Sequence, residues 1–252
     1  GGVTLTNQDL GSFTDMFVAK YDPDGNLLWA VSAGAASVSD VGNAITIDPD
    51  GNVLVAGGGS LTSIGVNPAP GAGRIFLAKF DSDGNALWTQ ASGLEANGGG
   101  LDAATGVGAD TNGNIYVVGN FEGPTATFGS VTLTNRGFSD GFLARYDSNG
   151  VPQSVVQIGG PGSDRLNAIA VDASGNTFVG GHFSDQIPFT QFAPRLVTDT
   201  GGSATNALTS SGQTDALVAK FDPTGNLVWA QAGGGAGADS VRGLALDSNR
   251  NV

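Results

Sequence analysis

The sequence repeats itself, and no other feature narrows the possible folds as far. The stretch Phe17-Val18-Ala19-Lys20-Tyr21-Asp22-Pro23-Asp24-Gly25-Asn26-Leu27-Leu28-Trp29 returns as Phe76 to Trp88, as Phe142 to Ser154 and as Leu217 to Trp229. A second unit opens at Asp40 and runs to the turn Asp48-Pro49-Asp50-Gly51-Asn52. Its copies carry Asp102 and Asp110, Asp164 and Asp172, and Asp239 and Asp247. Asp48 to Asp110 and Asp110 to Asp172 are each 62 residues apart, and Asp172 to Asp247 is 75. Such periodicity marks an architecture in which each unit buries its apolar face against its neighbours.

Within a period the pattern is strand, tight turn, strand. Ala44 and Thr46 alternate with Ile45 and Ile47, as Ala168 and Ala170 alternate with Ile169 and Val171. A period of two with small residues on one face and large ones on the other is that of a β-strand. Each Asp-x-x-Gly turn joins two such runs as a hairpin loop with Gly at positive φ would. One full set of expected strands is Asn43–Asp48, Asn52–Gly57, Ile75–Asp81 and Asn85–Thr89. Four strands per unit predict an all-β chain, a β-propeller of four-stranded blades with about four blade-equivalents. A stacked solenoid is the weaker alternative, since its repeats are shorter. The whole chain reads as one propeller region: a blade fragment over 1–40, blades over about 41–101, 102–163 and 164–238, and a fragment over 239–252. The expectation is an excerpt of a larger propeller.

Composition removes other classes. Gly contributes 42 of 252 residues and charged residues 13%. Of the 23 acids only Glu95 and Glu122 are Glu, so the acidity sits in Asp, which favours turns and caps over helices. Apolar content of 40% supplies a core and argues against disorder. A net charge of −13 with only ten scattered cations argues against a nucleic-acid partner. No run is long and apolar enough for membrane insertion as a helix. With no Cys there is no disulfide, thiolate chemistry or Cys-based zinc site.

The repeat resembles the bacterial seven-bladed β-propeller repeat family. The resemblance is carried by Asp15-Met16-Phe17-Val18-Ala19-Lys20-Tyr21-Asp22, by Gly159-Gly160-Pro161-Gly162-Ser163-Asp164 and by Gly113-Asn114-Ile115-Tyr116-Val117-Val118-Gly119. It departs at Ser154, where Trp is expected, at Arg74, where the other copies have Asp, and at Arg250 in a turn-Gly slot. The resemblance implies an exported or surface-attached, secreted or cell-surface propeller without a shared enzymatic activity. The lack of Cys accords with that location.

Each recurring residue has a functional and a structural reading. The turns at Asp22, Asp48 and Asp81 are similar to the start of a calcium loop, but their Gly comes too early and no Glu closes the loop. An Asp capping its own turn is the plainer reading. The segments from Gly159 and from Gly234 match a calcium-binding nonapeptide, yet stand 75 residues apart rather than in tandem. Asp40, Asp102, Asp164 and Asp239 each precede a first strand, which in a propeller lines the axis. They could form a carboxylate ring that holds Ca²⁺, or, as the plainer reading, could bond the amides of their Gly-rich loops and lock blades together. Trp29, Trp88 and Trp229 could stack on sugars, or wedge between blades. Lys20, Lys79, Arg145 and Lys220 are expected to pair with neighbouring Asp. His182, the one His, reads as a loop residue rather than a catalyst.

The connections from second to third strand vary most: Gly58–Gly73, Asn120–Ser139 and His182–Gln213. Variable loops on a rigid scaffold are where binding evolves, so this face, with Phe189, Phe192 and Leu196 in its longest loop, is the candidate for a protein or carbohydrate partner. The expected function is a non-catalytic extracellular binding or scaffold propeller with no resident cofactor. Quinone-cofactor dehydrogenases are the enzymatic alternative, because their blades also end a hairpin with Gly-x-x-x-Trp. Their cofactor needs cations near the axis, and the axial segments hold no Arg or Lys cluster. A structural surface-coat role is the third reading.

Overall fold

The computed structural model describes residues 3–7, 13–34, 39–59, 61, 63–64, 67–68, 74–92, 102–188 and 207–252. These residues form strands, turns and connections, with no helix among them. Strands β1 (Met16–Tyr21) and β2 (Leu27–Gly34) make a hairpin. Next come β3 (Val41–Ile47), β4 (Val53–Gly58), β5 (Ser63–Ile64), β6 (Asn67–Pro68), β7 (Ile75–Phe80) and β8 (Ala86–Ser92). The following repeat holds β9 (Ala103–Ala109), β10 (Ile115–Phe121), β11 (Thr125–Phe128), β12 (Val131–Thr134), β13 (Asp140–Tyr146) and β14 (Pro152–Ile158). The last holds β15 (Arg165–Val171), β16 (Thr177–Phe183), β17 (Gln186–Pro188), β18 (Ala207–Thr209), β19 (Asp215–Phe221) and β20 (Leu227–Gly233).

Three sheets have the antiparallel order expected of a blade: β3-β4-β7-β8, β9-β10-β13-β14 and β15-β16-β19-β20. The first strand of each packs on the first strand of the next, β3 on β9 and β9 on β15. The small-large alternation makes that contact. A Cβ on Gly106 would stand 2.9 Å from Ile169 Cγ2, and one on Gly108 would stand 2.5 Å from Val171 Cγ2. Large residues of one inner strand thus fill the space left by glycines of the strand before it.

Between the sheets lie continuous apolar layers. Leu54, Leu77, Val117 and Phe142 belong to one, Val118, Leu143, Val179 and Leu217 to the next. The aromatic-rich second and third strands suit this half-buried pleated setting. Every turn Asp binds its own loop. Asp48 Oδ1 accepts the N–H of Asp50 at 3.0 Å and of Asn52 at 2.8 Å. Gly51 supplies φ +83°, which a side chain would strain. Arg250, the one departure in these Gly slots, also adopts φ 65°.

The connections from second to third strand differ from the expectation in two ways. Gly58, Asn120 and His182 lie inside β4, β10 and β16, so the connections begin later. They also contain hairpins, β5–β6, β11–β12 and β17–β18, rather than loops alone. β5 pairs with β2 of the preceding repeat, Ala33 opposite Ile64.

Candidate functional site

Of the four Asp residues singled out in the sequence, Asp40, Asp102 and Asp164 stand immediately before their first strands β3, β9 and β15, whereas the segment after Asp239 forms no strand, because no second strand follows among the described residues to pair with it. Asp40, Asp102 and Asp164 are buried, and Asp239 is half-buried. Asp164 Oδ2 accepts the Gly160 N–H at 2.7 Å and its Oδ1 the Ser184 N–H at 3.3 Å. Asp239 Oδ2 accepts the Gly235 N–H at 2.9 Å, and Asp102 Oδ1 the Glu122 N–H at 2.7 Å. Their own N–H groups reach back to the preceding repeat: Asp40 to Thr14 O at 2.7 Å, Asp164 to Ser139 O and Asp239 to Thr214 O, both at 2.8 Å. The Asp164 and Asp239 carboxylates brace the Gly-rich loop that precedes them, while Asp102 braces the end of the second strand of its own repeat at Glu122 and Gly123. Among the described residues no three His, Cys, Asp or Glu side chains gather closely enough to hold a metal ion.

A second carboxylate stands at these junctions. Asp140 and Asp215 open the third strands and are fully buried. Asp140 Oδ2 accepts the Arg136 N–H at 3.2 Å and a short bond from Gln157 Nε2. Asp215 Oδ2 accepts the Ser211 N–H at 3.1 Å. The two acids of a junction are close: Asp215 Oδ1 and Asp239 Oδ2 both lie within 2.8 Å of the point a Cβ on Gly234 would occupy. Burial pushes Asp164 up to about 7, and the charges of Asp140 and Asp185 act in the same direction against the Gly160 and Ser184 bonds. Burial also raises Asp140, against its bond from Gln157. Arg74 takes the position of this second acid in the β3–β8 repeat.

One set of inter-repeat contacts has no counterpart in the sequence reading. The first strands carry β-bulges that skip Asn43, Thr105 and Asn167. Each skipped side chain then bonds a carbonyl of the next repeat. Asn43 Nδ2 reaches Ala104 O at 2.9 Å, Thr105 Oγ1 reaches Leu166 O at 2.6 Å, and Asn167 Nδ2 reaches Val241 O at 2.8 Å. The only signal was a polar residue recurring three places after Asp40, Asp102 and Asp164.

Trp29 and Trp88 wedge between repeats. Trp29 Nε1 donates to Ser82 O at 2.9 Å and Trp88 Nε1 to Ser148 O at 3.3 Å. Trp229 instead meets Phe178 of its own sheet edge-on at 6.1 Å. Of the basic series, Lys79 alone forms a described ion pair with Asp, to Asp48 Oδ2 at 2.8 Å. Lys20 Nζ donates to Ser82 O, Arg145 to Asn114 Oδ1, and Lys220 lies over the Phe178 ring. The expected pairing therefore fails at those three, because backbone carbonyls, an amide and a ring occupy the reach of each cation. His182 is a strand residue of β16, not a loop residue. Its Nδ1 is 3.4 Å from Ser240 Oγ, and burial, then the charges of Arg165 and Arg242, lower its pKa.

The connections and Gly-rich loops share one face, opposite the Asp-capped turns. Backbone bonds tie them together: Phe138 N–H to Gly162 O at 2.9 Å and Gln213 N–H to Gly237 O at 3.1 Å. Arg165 pairs with Glu122 there, and Gln157 Nε2 anchors the β11–β12 hairpin at Thr134 O, 2.6 Å away. Phe138 projects from this platform with 80% of its surface exposed. Phe189, Phe192 and Leu196 lie outside the described residues.

The family-model comparison agrees with this architecture. Residues 29–58 match the family model described as SBBP, beta-propeller repeat. An uncharacterized WD repeat-containing protein of Acanthamoeba polyphaga mimivirus is 27% identical over all of this chain, which spans 22% of that protein. The regulatory protein FlaEY of Caulobacter vibrioides is 27% identical over 76% of this chain and 19% of its own length. The chain thus spans about a fifth of the curated relatives it matches. A crystal structure of a protein of unknown function from Bacteroides caccae aligns over 84% of this chain and 73% of its own, with 14% identity and a TM-score of 0.35.

Proposed function

We propose that this chain, a β-propeller-repeat protein, is a non-catalytic binding or scaffold module acting outside the cell. Its partner is a protein or glycan held on the face built from the strand-linking hairpins and Gly-rich loops. The observation that carries the reading is the contrast within that face. The connections differ in length and sequence from repeat to repeat, yet backbone bonds from Phe138 and Gln213 seat them on the next Gly-rich loop. Variable tips on a braced base suit recognition, because the platform is ordered before a ligand arrives. An exposed aromatic such as Phe138 offers contact area at small cost in conformational entropy. The buried Asp residues serve beneath the face as its braces.

The test presents the full chain to glycan and protein arrays beside two variants. Phe138→Ser alters the proposed face, and Leu87→Ser alters an exposed apolar residue near the turns at the other end. A third variant shortens the longest connection across residues 189–206. Capture that weakens with Phe138→Ser or the shortened connection and survives Leu87→Ser supports the assignment. Capture indifferent to both face variants, or none from either array, refutes it.

A further inference from the structure

The exposed charges of the chain are sorted between the two ends of the repeats. Among the described residues of the end formed by the Asp-capped turns, Asp24, Asp50, Asp83 and Asp247 are exposed, against the single exposed cation Arg250. At the other end, where the connections and Gly-rich loops meet, the sign reverses. Among the described residues there, Arg74, Arg136 and Arg242 are exposed, and Asp185 is the one exposed acid. The other described acids of that end are buried or half-buried, and Glu122 is paired with Arg165. A net charge of −13 thus coexists with a face whose solvent-facing charges are mostly positive. All three exposed cations of this face are Arg, whereas Lys20, Lys79 and Lys220 lie toward the turns. Arg presents a planar fork of donors that matches a carboxylate, which Lys does not.

Arg136 shares its turn with Phe138, which is 80% exposed. The two flank Gly137 between β12 and β13, and the amide of each of the three is bonded. Arg136 N–H donates to Asp140 Oδ2 at 3.2 Å, Gly137 N–H to Asn135 Oδ1 at 2.9 Å, and Phe138 N–H to Gly162 O at 2.9 Å. Gly137 also lies against the neighbouring Gly-rich loop, where a Cβ would run into Gly162 O and stand 2.6 Å from Gly160 O. The backbone that carries the guanidinium and the ring is therefore fixed before a partner arrives, which removes an ordering cost from binding.

We infer that the partner of this face is an acidic glycan, a polymer of uronic acid, held at the Arg136-Gly137-Phe138 turn. This rests on the binding role proposed above and narrows its partner. The flat CH face of a sugar ring lies on Phe138, while a carboxylate of that sugar or its neighbour takes the Arg136 fork. A peptide anchors through side chains buried in pockets, whereas a projecting aromatic ring suits a flat sugar. Arg74 and Arg242, on the same face, attract further carboxylates along the polymer. The exposed Asp24, Asp50 and Asp83 of the turn end repel it and so direct it to the opposite face.

The probe is an oligogalacturonate, titrated into the full chain by calorimetry, with its methyl ester as the uncharged control built on the same rings. Saturable binding of the acid is expected, with the ester weaker by about tenfold or more. Raising salt from about 0.05 M to about 0.5 M should weaken the acid and leave the ester unchanged. Phe138→Ser should weaken both ligands, since both use the ring. Arg136→Gln should weaken the acid about tenfold, and Arg136→Lys should recover only part of that because the fork is lost. Arg250→Gly removes one positive charge from the turn end and should change affinity less than about twofold. No saturable binding of the acid, equal affinity for the ester, or equal losses for Arg136→Gln and Arg250→Gly overturns the inference. Tighter binding of an oligoglutamate also overturns it, and would make the partner an acidic peptide. The wider binding role survives any of these results if the arrays still find a partner that is lost with Phe138→Ser, and falls only if they do not.

Discussion

The side-chain amide of Asn167 donates to the carbonyl oxygen of Val241, 2.8 Å away in the next repeat. Thr105 to Leu166 O and Asn43 to Ala104 O are the same bond one and two repeats earlier in the chain. Each is possible only because a bulge frees the side chain from its own ladder and aims it across the junction. The inner strands are therefore joined by directed bonds as well as by the apolar fit of Ile169 and Val171 against Gly106 and Gly108.

Thr105→Val isolates one of these bonds, because Val keeps the shape and removes the hydroxyl. Leu166 O then loses its partner in a half-buried setting, at a cost of about 1–2 kcal/mol. Urea denaturation should show a lower midpoint with an unchanged slope. A loss below about 0.5 kcal/mol would mean that the bond is replaced by solvent.

The junction acids give stability a pH dependence whose sign follows from burial. Asp164 titrates near 7 in the folded chain and near its ordinary value, about 3.9, when unfolded. Between those values the folded state holds a proton that the unfolded state has released. Its contribution therefore declines as pH rises from about 4 to about 7 and is level above that. The turn acids work in reverse. Asp48, Asp172 and Asp222 are lowered despite burial by the bonds of their turns and, for Asp48, of Lys79, so their contribution is lost as pH falls below about 4. Thermal melts from pH 3 to 9 should peak in the mildly acidic range. Asp164→Asn should flatten the descending limb and leave the acid limb intact; an unchanged descending limb would exclude Asp164 as its source.

How much of this was legible in the sequence depends on whether the chemistry is local. The turn at Asp48 and Gly51 could be read because an Asp, its amides and a left-handed Gly lie within five residues. The small-large alternation at Ala168 and Ile169 announced a strand because its period is short. The Asn43, Thr105 and Asn167 bonds were not legible, since the residue type varies and each partner lies in the next repeat. For the same reason Lys20, Arg145 and Lys220 did not find the Asp partners expected of them. The Asp164 contact with Gly160 was within reach of the sequence, whereas its approach to Asp140 required the junction itself. Ser154 was visible as a departure, but only the structure shows that Val156 takes up the contact with the Gly225 turn, 3.2 Å from its Cβ position, where Trp29 and Trp88 meet Gly84 and Gly150.

Lys79 and Asp48 form a pair with side chains only 6% and 1% exposed. Removing one member of a buried pair leaves the other uncompensated, which costs about 3–5 kcal/mol, whereas replacing both is far milder. Asp48 retains its Asn52 bonds, so Lys79→Met should fall at the lower end, about 3 kcal/mol. The double variant Lys79→Met with Asp48→Asn should recover a substantial part. Equilibrium denaturation of the four members of this cycle measures the coupling, and additive losses would show that the two charges act independently.

Gly119 shows why the second strands keep a glycine near their end. A Cβ there would run into the carbonyl oxygen of Ala103 and approach the Phe142 ring at 2.7 Å. Gly57 meets Val41 O and Phe76 in the same way, and Gly181 meets Arg165 O. The contact arises at the bulge in the neighbouring first strand, whose carbonyl turns toward the second strand. Since the obstacle is backbone, a rotamer change cannot relieve it, and Gly119→Ala should cost at least the ~1–3 kcal/mol of ordinary overpacking. Gly25→Ala is the matched control: nothing lies within 4 Å of its Cβ position, and only its φ of +83° opposes the change, at about 1–2 kcal/mol. Denaturation midpoints should therefore fall further for Gly119→Ala than for Gly25→Ala. The reverse order would mean that the bulge yields and the turn does not.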